Sequence, residues 1–260
     1  MLLLTGSISQ IKAYIERLDS EEQQRLIPGL LADSRSGVRD LGRRVQGKLK
    51  REALEFERID RMKRIESGLR QKGYTLVAGI DEAGRGPLSG PVVAAAVILP
   101  EDFFVPGIDD SKKLSPERRD YLYGIITQKA AAYGVGMVDN GEIDRINILR
   151  ATYKAAAIAV ERLKKKPDCL LLDAMKLPGC NLYQQSVVKG DSTCLSIAAA
   201  SIIAKVTRDR YMDILDERYP QYNFSQNKGY GTKEHILAIM EHGPCPVHRK
   251  TFIKNIRRRD

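Results

Sequence analysis

The stretch Leu76-Val77-Ala78-Gly79-Ile80-Asp81-Glu82-Ala83-Gly84-Arg85-Gly86-Pro87-Leu88-Ser89-Gly90-Pro91-Val92-Val93 decides the reading of this chain. An apolar strand over 76–80 runs directly into two adjacent carboxylates, Asp81 and Glu82. Adjacent acids at the end of a buried strand repel each other and lose hydration. They are tolerable only when one holds a proton or both hold a cation. Gly84-Arg85-Gly86 follows at once, and a backbone freed by glycines beside an arginine suits a phosphate. Together these features point to metal-assisted chemistry on a phosphodiester. Successive strand residues face opposite ways, so a bend or bulge after Ile80 is expected if both acids serve one site.

Downstream, strands and helices alternate. The patterns predict strands over 74–80, 91–99, 132–138, 169–172 and 181–189. They predict helices over 143–163 and 196–219, the latter nearly all apolar at first, and a last helix from the Thr232 cap to Met240. Ser115-Pro116-Glu117 starts another helix, with serine as cap and proline at the first helical position. Two neighbouring early strands followed by strand–helix alternation give an α/β layer with a mixed sheet. In such sheets, sites gather at the carboxyl ends of strands. Asp173 ends the run Leu170-Leu171-Leu172, and Asp191 lies between a strand and the start of the buried helix. One sheet edge can therefore collect Asp81, Glu82, Asp173 and Asp191. Oxygen ligands with few histidines select Mg²⁺ or Mn²⁺ over zinc, and two such ions suit in-line phosphodiester hydrolysis.

Before residue 72 the pattern is helical. Ile11, Tyr14, Ile15 and Leu18 sit at helical spacing after Ser7 or Ser9, and Pro28-Gly29 reads as an interruption. A longer pattern then runs from Val38 to Leu69, with Gly42 and Gly47 weakening its first turns. Arg35, Arg39, Arg43, Arg44, Lys48, Lys50 and Arg51 make one face basic, read here as an ordinary solvated face in preference to a duplex-gripping arm. The chain thus divides into a helical extension, 1–72, and an α/β domain, 73–260.

The formal net charge of +10 over 260 residues favours a polyanionic partner, nucleic acid first. No apolar run approaches the roughly 20 residues that span a bilayer, and Met1-Leu2-Leu3-Leu4 is too short for a signal core. Cys169, Cys180, Cys194 and Cys245 lack metal-type spacing and read as reduced, cytoplasmic thiols. Without a strong exposed apolar stripe outside the first helices, a monomer is expected.

From about Leu76 to Phe252 the chain resembles the bacterial ribonuclease HII family, the type 2 ribonucleases H. The blocks that carry the likeness are 79–92, Asp-Asp-Ser-Lys-Lys-Leu (109–114), Leu-Leu-Leu-Asp-Ala (170–174), Lys-Gly-Asp-Ser (189–192), the helix 196–209, Lys-Gly-Tyr-Gly-Thr-Lys-Glu-His (228–235) and His-Arg-Lys-Thr-Phe (248–252). The resemblance implies a ribonuclease H-like fold, a central mixed sheet flanked by helices. It implies an endonuclease that cuts the RNA strand of RNA–DNA hybrids, and that cuts 5′ of single ribonucleotides in duplex DNA, leaving 3′-hydroxyl and 5′-phosphate ends. Roles in ribonucleotide removal during DNA repair and in primer removal during replication go with it. Asp81, Glu82, Asp173 and Asp191 match the family's acidic metal ligands, with Mn²⁺ or Mg²⁺ as cofactor.

In that family the loop matching Gly84, Arg85 and Gly86 reads the ribose 2′-hydroxyl through its backbone. The tyrosine matching Tyr230 stacks on the next sugar and selects the ribo-to-deoxy junction. Lys112 and Lys113 are expected on phosphates, as are Arg249, Lys250, Lys254 and Arg257 to Arg259 along the duplex backbone. Around Asp191 the chain has Ser192-Thr193-Cys194 where the family more usually has Ala-Lys-Ser, so a local phosphate-binding lysine is missing. The sister ribonuclease HIII usually carries threonine at the place of Arg85 and a β-rich N-terminal platform, and this chain has neither. A non-catalytic hybrid-binding protein is the remaining alternative, and the intact acids argue against it.

Overall fold

The alternating segments form five strands, β1 (Val77–Ala83), β2 (Val92–Ile98), β3 (Ala132–Val138), β4 (Cys169–Asp173) and β5 (Tyr183–Val187). They make one mixed sheet in the order β3-β2-β1-β4-β5. The two early hairpin partners β2 and β3 run antiparallel, and β4 and β5 run parallel to β1. Every residue of β2 is buried, as expected of a strand covered on both faces. The computed structural model describes residues 6–256 and comprises two compact units, Met1–Asp60 and Arg61–Asp260.

In the larger unit, strand alternation sorts the core. Ala78, Ile80, Leu170 and Leu172 face α6 (Ile148–Glu161), whose Ala151, Ala155, Ala156 and Ala159 let it lie close. Val77, Cys169 and Leu171 face α8 (Leu195–Arg218) and cluster with Ile197 and Leu69. The α8 helix begins at Cys194, which gives no side-chain cap. Glu66 supplies one from α3 (Ser36–Gln71). Its Oε1 accepts from the Ser196 N–H at 2.9 Å, the Ser196 hydroxyl at 2.9 Å and the Cys194 thiol at 3.2 Å. A carboxylate is favoured there because helix N-termini carry unpaired N–H groups. The helix expected over 143–163 is two, α5 (Asn140–Ile146) and α6. They break at Asn147, which has φ 70° and caps α6 through its side chain. Asp139 caps α5 and so moves its start forward. The remaining helices are α4 (Pro116–Lys129), the short α7 (Gly190–Thr193) and α9 (Phe224–Asn227), and α10 (Lys233–His242), with Ser115 and Thr232 capping α4 and α10 as the sequence predicts.

In the smaller unit, α1 (Ile8–Ile15) and α2 (Ser20–Leu31) each begin with a capping box, Ser7 with Gln10 and Asp19 with Glu22. Pro28 does not interrupt: it lies inside α2, and the break falls over residues 16–19. The Asp19 box fixes the start of α2, and the proline withdraws only the one bond to the Gln24 carbonyl, while the turn beyond it closes through the Ala32 N–H on the Pro28 carbonyl. Gly42 does not end α3 either, because a Cβ there would press on the Leu30 side chain, so the glycine serves helix packing. The basic face is locally tied, with Arg43 on Asp40 at 2.7 Å, Lys48 near Glu52 at 3.8 Å and Arg39 on the Asp33 and Ser34 carbonyls. No helix among the described residues is long and apolar enough to cross a membrane.

A Cβ on Gly79 would run into the Ser196 and Ile197 backbone of α8, whereas one on Gly68 would meet nothing. Gly79→Ala is therefore expected to destabilise the fold by about 2 kcal/mol or more. Gly68→Ala, inside a helix, should stabilise by about 0.5–1 kcal/mol. Urea unfolding of both variants checks the pair.

Candidate active site

Parallel pairing sets the position of the acids. Ile80 pairs with Leu172 and Asp173 with Val187, so β1, β4 and β5 point their carboxyl ends to one edge. Asp81 and Glu82 extend β1 just beyond its last β4 partner. The bulge expected after Ile80 is absent: the β1–β2 register runs unbroken from Ala78 to Ala83. The continuous ladder to β2 holds the strand regular, and alternation places Asp81 and Glu82 on opposite faces; both nevertheless feel the charge of Asp173 at the end of β4, so the two acids reach one strand end without the bulge. Asp81 is only 5% exposed and meets Ser201 of α8. Asp173 accepts from the Gly190 N–H at 2.8 Å, which brings the turn carrying Asp191 to the end of β4. Asp191 is buried at 7% exposure, in α7.

The electrostatics are those of crowded, dehydrated acids. Burial raises the Asp81 carboxyl well above its ordinary value, and the neighbouring Glu82 and Asp173 add to this. Burial also raises Glu82, against the Arg85 guanidinium that pulls it down. Asp173 is raised by burial and by Asp191, opposed by the Gly190 N–H. Side-chain cations partly balance the charge. Arg85 Nη1 lies 3.1 Å from Glu82 Oε1, and Lys112 Nζ lies 3.4 Å from Asp191 Oδ2. Burial works against the charge on Lys112, but Asp110, Asp191 and Asp81 outweigh it and raise its pKa. Lys113 reaches Asp109 and the Ser192 hydroxyl, each at 3.1 Å, so it stands beside the turn that lacks the usual lysine.

Among the described residues no group of three acidic, histidine or cysteine side chains forms a ready-made metal site. The donor chemistry nevertheless fits a hard divalent cation. The available ligands are carboxylate oxygens, and the Glu82 Oε2 atom is buried without a hydrogen-bond partner. Such an orphaned acceptor is costly unless a cation or donor reaches it.

The glycine–arginine loop is held from behind by buried arginines. Arg249 was expected on the duplex backbone, but it is 0% exposed. It donates to the carbonyls of Gly84 at 2.6 Å, Arg85 at 2.9 Å and Gly90 at 3.0 Å. Arg208, equally buried, donates to Pro91 at 3.0 Å, Ser89 at 3.1 Å and Lys228 at 2.9 Å. The guanidinium fork suits this because it offers several donors in one plane, and an arginine that satisfies loop carbonyls inside the protein cannot also reach a phosphate outside it. Gly84 is the position where glycine is required: its φ is 91°, and a Cβ would strike Arg208. Tyr230 is 45% exposed and stands against the loop, with its Cε1 3.8 Å from where a Gly86 Cβ would lie. The Lys250 N–H donates to Asp144. Arg257 to Arg259 lie outside the described residues. Sequence reasoning missed Arg208 in this role and misplaced Arg249, because their partners are backbone carbonyls, which no residue pattern announces.

Arg249→Met would leave the Gly84, Arg85 and Gly90 carbonyls without their donor. Amide hydrogen exchange across 84–90 is expected to speed up about tenfold or more, as for the loss of a buried hydrogen bond. Exchange at β2, read by mass spectrometry in the same experiment, should stay slow.

Comparison with known proteins identifies the family. The ribonuclease HII family model matches residues 78–255, and that of the ribonuclease HII N-terminal domain matches residues 7–70. The chain is 49% identical to ribonuclease HII of Clostridioides difficile over 250 residues, covering 96% of this chain and 98% of that protein. It is 50% identical to ribonuclease HII of Bacillus anthracis over 246 residues, covering 95% of each. The fold matches ribonuclease H2 of Pyrococcus horikoshii at 28% identity and a TM-score of 0.58, over 70% of this chain and 97% of that one. It also matches the ribonuclease HII of Archaeoglobus fulgidus solved with PCNA, at 26% identity and a TM-score of 0.60, over 71% and 98%. The sheet, the N-terminal helices and these matches agree: the chain belongs to the ribonuclease HII family of endoribonucleases.

Proposed function

We propose that this protein hydrolyses the RNA strand of RNA–DNA hybrids and cuts 5′ of single ribonucleotides in duplex DNA, leaving 3′-hydroxyl and 5′-phosphate ends. The observation that carries the reading is the convergence of Asp81, Glu82, Asp173 and Asp191 on one sheet edge beside a rigidly held Gly84-Arg85-Gly86 loop. A role in clearing ribonucleotides and primers from DNA follows from that activity, and we place the protein in the cytoplasm as a monomer. Residues 73–260 would form the catalytic domain and 1–72 its helical extension.

Asp81, Glu82 and Asp173 would hold divalent cations, Mg²⁺ or Mn²⁺, with Asp191 completing the set. The chemistry that a pair of such ions supplies is activation of water and neutralisation of charge at the phosphodiester. The protein's own groups do the rest. Gly84 is buried and held from behind, while Arg85 and Gly86 are exposed, so the outer side of the loop is where a ribose 2′-hydroxyl, the group that separates RNA from DNA, would approach. The Arg85 side chain is turned to Glu82, so reading through the backbone leaves it free to balance that acid. Tyr230 offers its exposed ring to the next sugar, where a second 2′-hydroxyl would crowd it. Lys112 and Lys113 sit at the rim, where phosphates could take over the contacts these lysines now make with carboxylates.

The test is cleavage of a 5′-labelled DNA duplex carrying one ribonucleotide, with Mg²⁺ or Mn²⁺ and an EDTA control. A cation-dependent cut on the 5′ side is the expected result. Cutting of a continuous hybrid alone would favour the sister ribonuclease HIII type, and cutting of neither would favour a hybrid-binding protein. Asp81→Asn should lower the rate by about a thousandfold or more, about 4 kcal/mol, and leave hybrid binding equal or tighter. Burial and mutual repulsion raise Asp81, Glu82 and Asp173, so at a pH below those raised values cation binding displaces protons. Mn²⁺ affinity by titration calorimetry should therefore tighten as pH rises, up to about tenfold per pH unit for each proton displaced.

A further inference from the structure

Behind Tyr230 lies a buried histidine pair that the chemistry above does not use. His235 and His248 are 0% and 2% exposed, and their Nε2 atoms stand 3.0 Å apart. His235 Nδ1 is 2.8 Å from the Tyr230 carbonyl oxygen. His248 Nδ1 is 3.0 Å from the Cys245 backbone nitrogen. A carbonyl only accepts, so His235 carries its proton on Nδ1 and presents a bare Nε2. His248 must then donate from Nε2, which leaves its Nδ1 bare to accept the Cys245 N–H. The Cys245 carbonyl also lies 3.3 Å from His248 Nδ1, a longer contact than the Cys245 N–H at 3.0 Å; the Tyr230 carbonyl therefore fixes both tautomers, and every hydrogen bond in the chain Cys245 → His248 → His235 → Tyr230 runs the same way.

The surroundings suit neutral rings. Tyr222 meets His248 edge-on at 4.9 Å between centroids, and Phe224 meets His235 edge-on at 5.4 Å. The Cys245 thiol lies 3.1 Å from His248 Nδ1, and the Tyr222 hydroxyl is turned away to the Gly243 carbonyl at 2.6 Å. Neither group supplies a negative charge to hold an imidazolium. Burial holds His235 below its ordinary value, and burial with His235 alongside pushes His248 down to about 4. Protonating His235 would aim two N–H groups at each other across the pair.

We infer that His235 and His248 are positioning residues for Tyr230, fixing its backbone through this relay so that its ring stays against Gly86 and selects the ribo-to-deoxy junction. Two strands of observation meet here. The Tyr230 carbonyl is held from the histidine side, and the preceding residue, Gly229, accepts from the Leu88 N–H at 2.8 Å. The Thr232 N–H also donates to the Tyr230 carbonyl at 2.8 Å, and the Tyr230 N–H donates to the Asn227 carbonyl at 2.9 Å, so the relay adds a buried side-chain tie to a backbone turn, while the loop sets the glycine before it. The inference rests on the reading of Tyr230 proposed above.

The experiment measures kcat/KM of the full chain with Mg²⁺ on a DNA duplex carrying one ribonucleotide and on a continuous RNA–DNA hybrid. His248→Leu withdraws the donor to His235 and should lower the single-ribonucleotide value about tenfold, as for one lost buried hydrogen bond, with less than about a threefold loss on the continuous hybrid. His248→Gln returns an N–H and should recover most of the loss. In a Tyr230→Ala background His248→Leu should not change the substrate preference further. Equal losses on both substrates, or an undiminished effect without the tyrosine ring, would overturn the inference. If Tyr230→Ala shifts the preference and His248→Leu does not, the relay alone is wrong; if Tyr230→Ala leaves the preference unchanged, the reading of Tyr230 is wrong and the inference falls with it. Imidazole ¹⁵N shifts of the unaltered protein give a check that does not depend on folding of a variant. A bare Nε2 on His235 and a bare Nδ1 on His248 are expected, and the opposite tautomer on either ring would overturn the relay.

Discussion

The close seating of α8 on β1 is the constraint from which the site follows. Gly79 has no side chain, so the first turn of the helix, at Ser196 and Ile197, rests on the strand backbone. From that point the two elements run side by side. Asp81 meets Ser201, and Gly84, just past the strand, meets Arg208. The spacing is consistent: going from 79 to 84 along an extended chain covers roughly 16 Å at about 3.3 Å per residue. Going from 196 to 208 along a helix covers roughly 18 Å at about 1.5 Å per residue. One contact therefore sets where the hydroxyl meets the acid and where the guanidinium meets the loop. Glu66 strengthens the seat by capping the same helix end.

The larger features of this arrangement were legible in the sequence because they are periodic or sit at element ends. The strand 132–138 and the capped starts of α4 and α10 appear where the pattern places them. Asp173 and Asp191 stand out because a carboxylate beside a buried apolar run loses hydration and needs a compensating partner. What stayed hidden depends on partners that leave no pattern. Pro28 looks like a stop, yet the Asp19 capping box had already fixed the helix around it. The regular register through Glu82 was not foreseeable, because alternation alone does not say how far a neighbouring strand pairs. Arg249 reads from sequence as a basic residue in a basic tail, and only the fold reveals that it points inward to carbonyls. The histidine pair is thirteen residues apart in sequence, a spacing that matches no ligand motif.

Buried arginines that bond to carbonyls need a reason, since interior charge is costly, and Asp209 and Asp144 act on Arg208 and Arg249 only through the field. Here carbonyl dipoles substitute for counter-ions. Burial lowers Arg208, and burial together with Arg208 pushes Arg249 down to about 9. The two cations thus repel each other and are kept charged by the backbone they hold. Such an arrangement resists rearrangement, because moving any one loop carbonyl away strands a charged donor.

The same charges shape the approach of substrate. The acids on the sheet edge repel a phosphodiester, while the loop beside them carries positive charge behind its backbone and Lys112 and Lys113 carry it in front. A polyanion therefore meets an attractive rim around a repulsive centre. The centre becomes attractive only when its acids are neutralised, by protons or by divalent cations. Protons would silence the carboxylates as ligands, whereas cations would convert them into a phosphate-binding surface. The orphaned Glu82 Oε2 and the raised carboxyls fit a site whose acids need a cation or a proton. The crowding of acids at one strand end and the rigidity of the arginine-held loop belong together: a loop held at its carbonyls stays in place while the charge beside it changes sign.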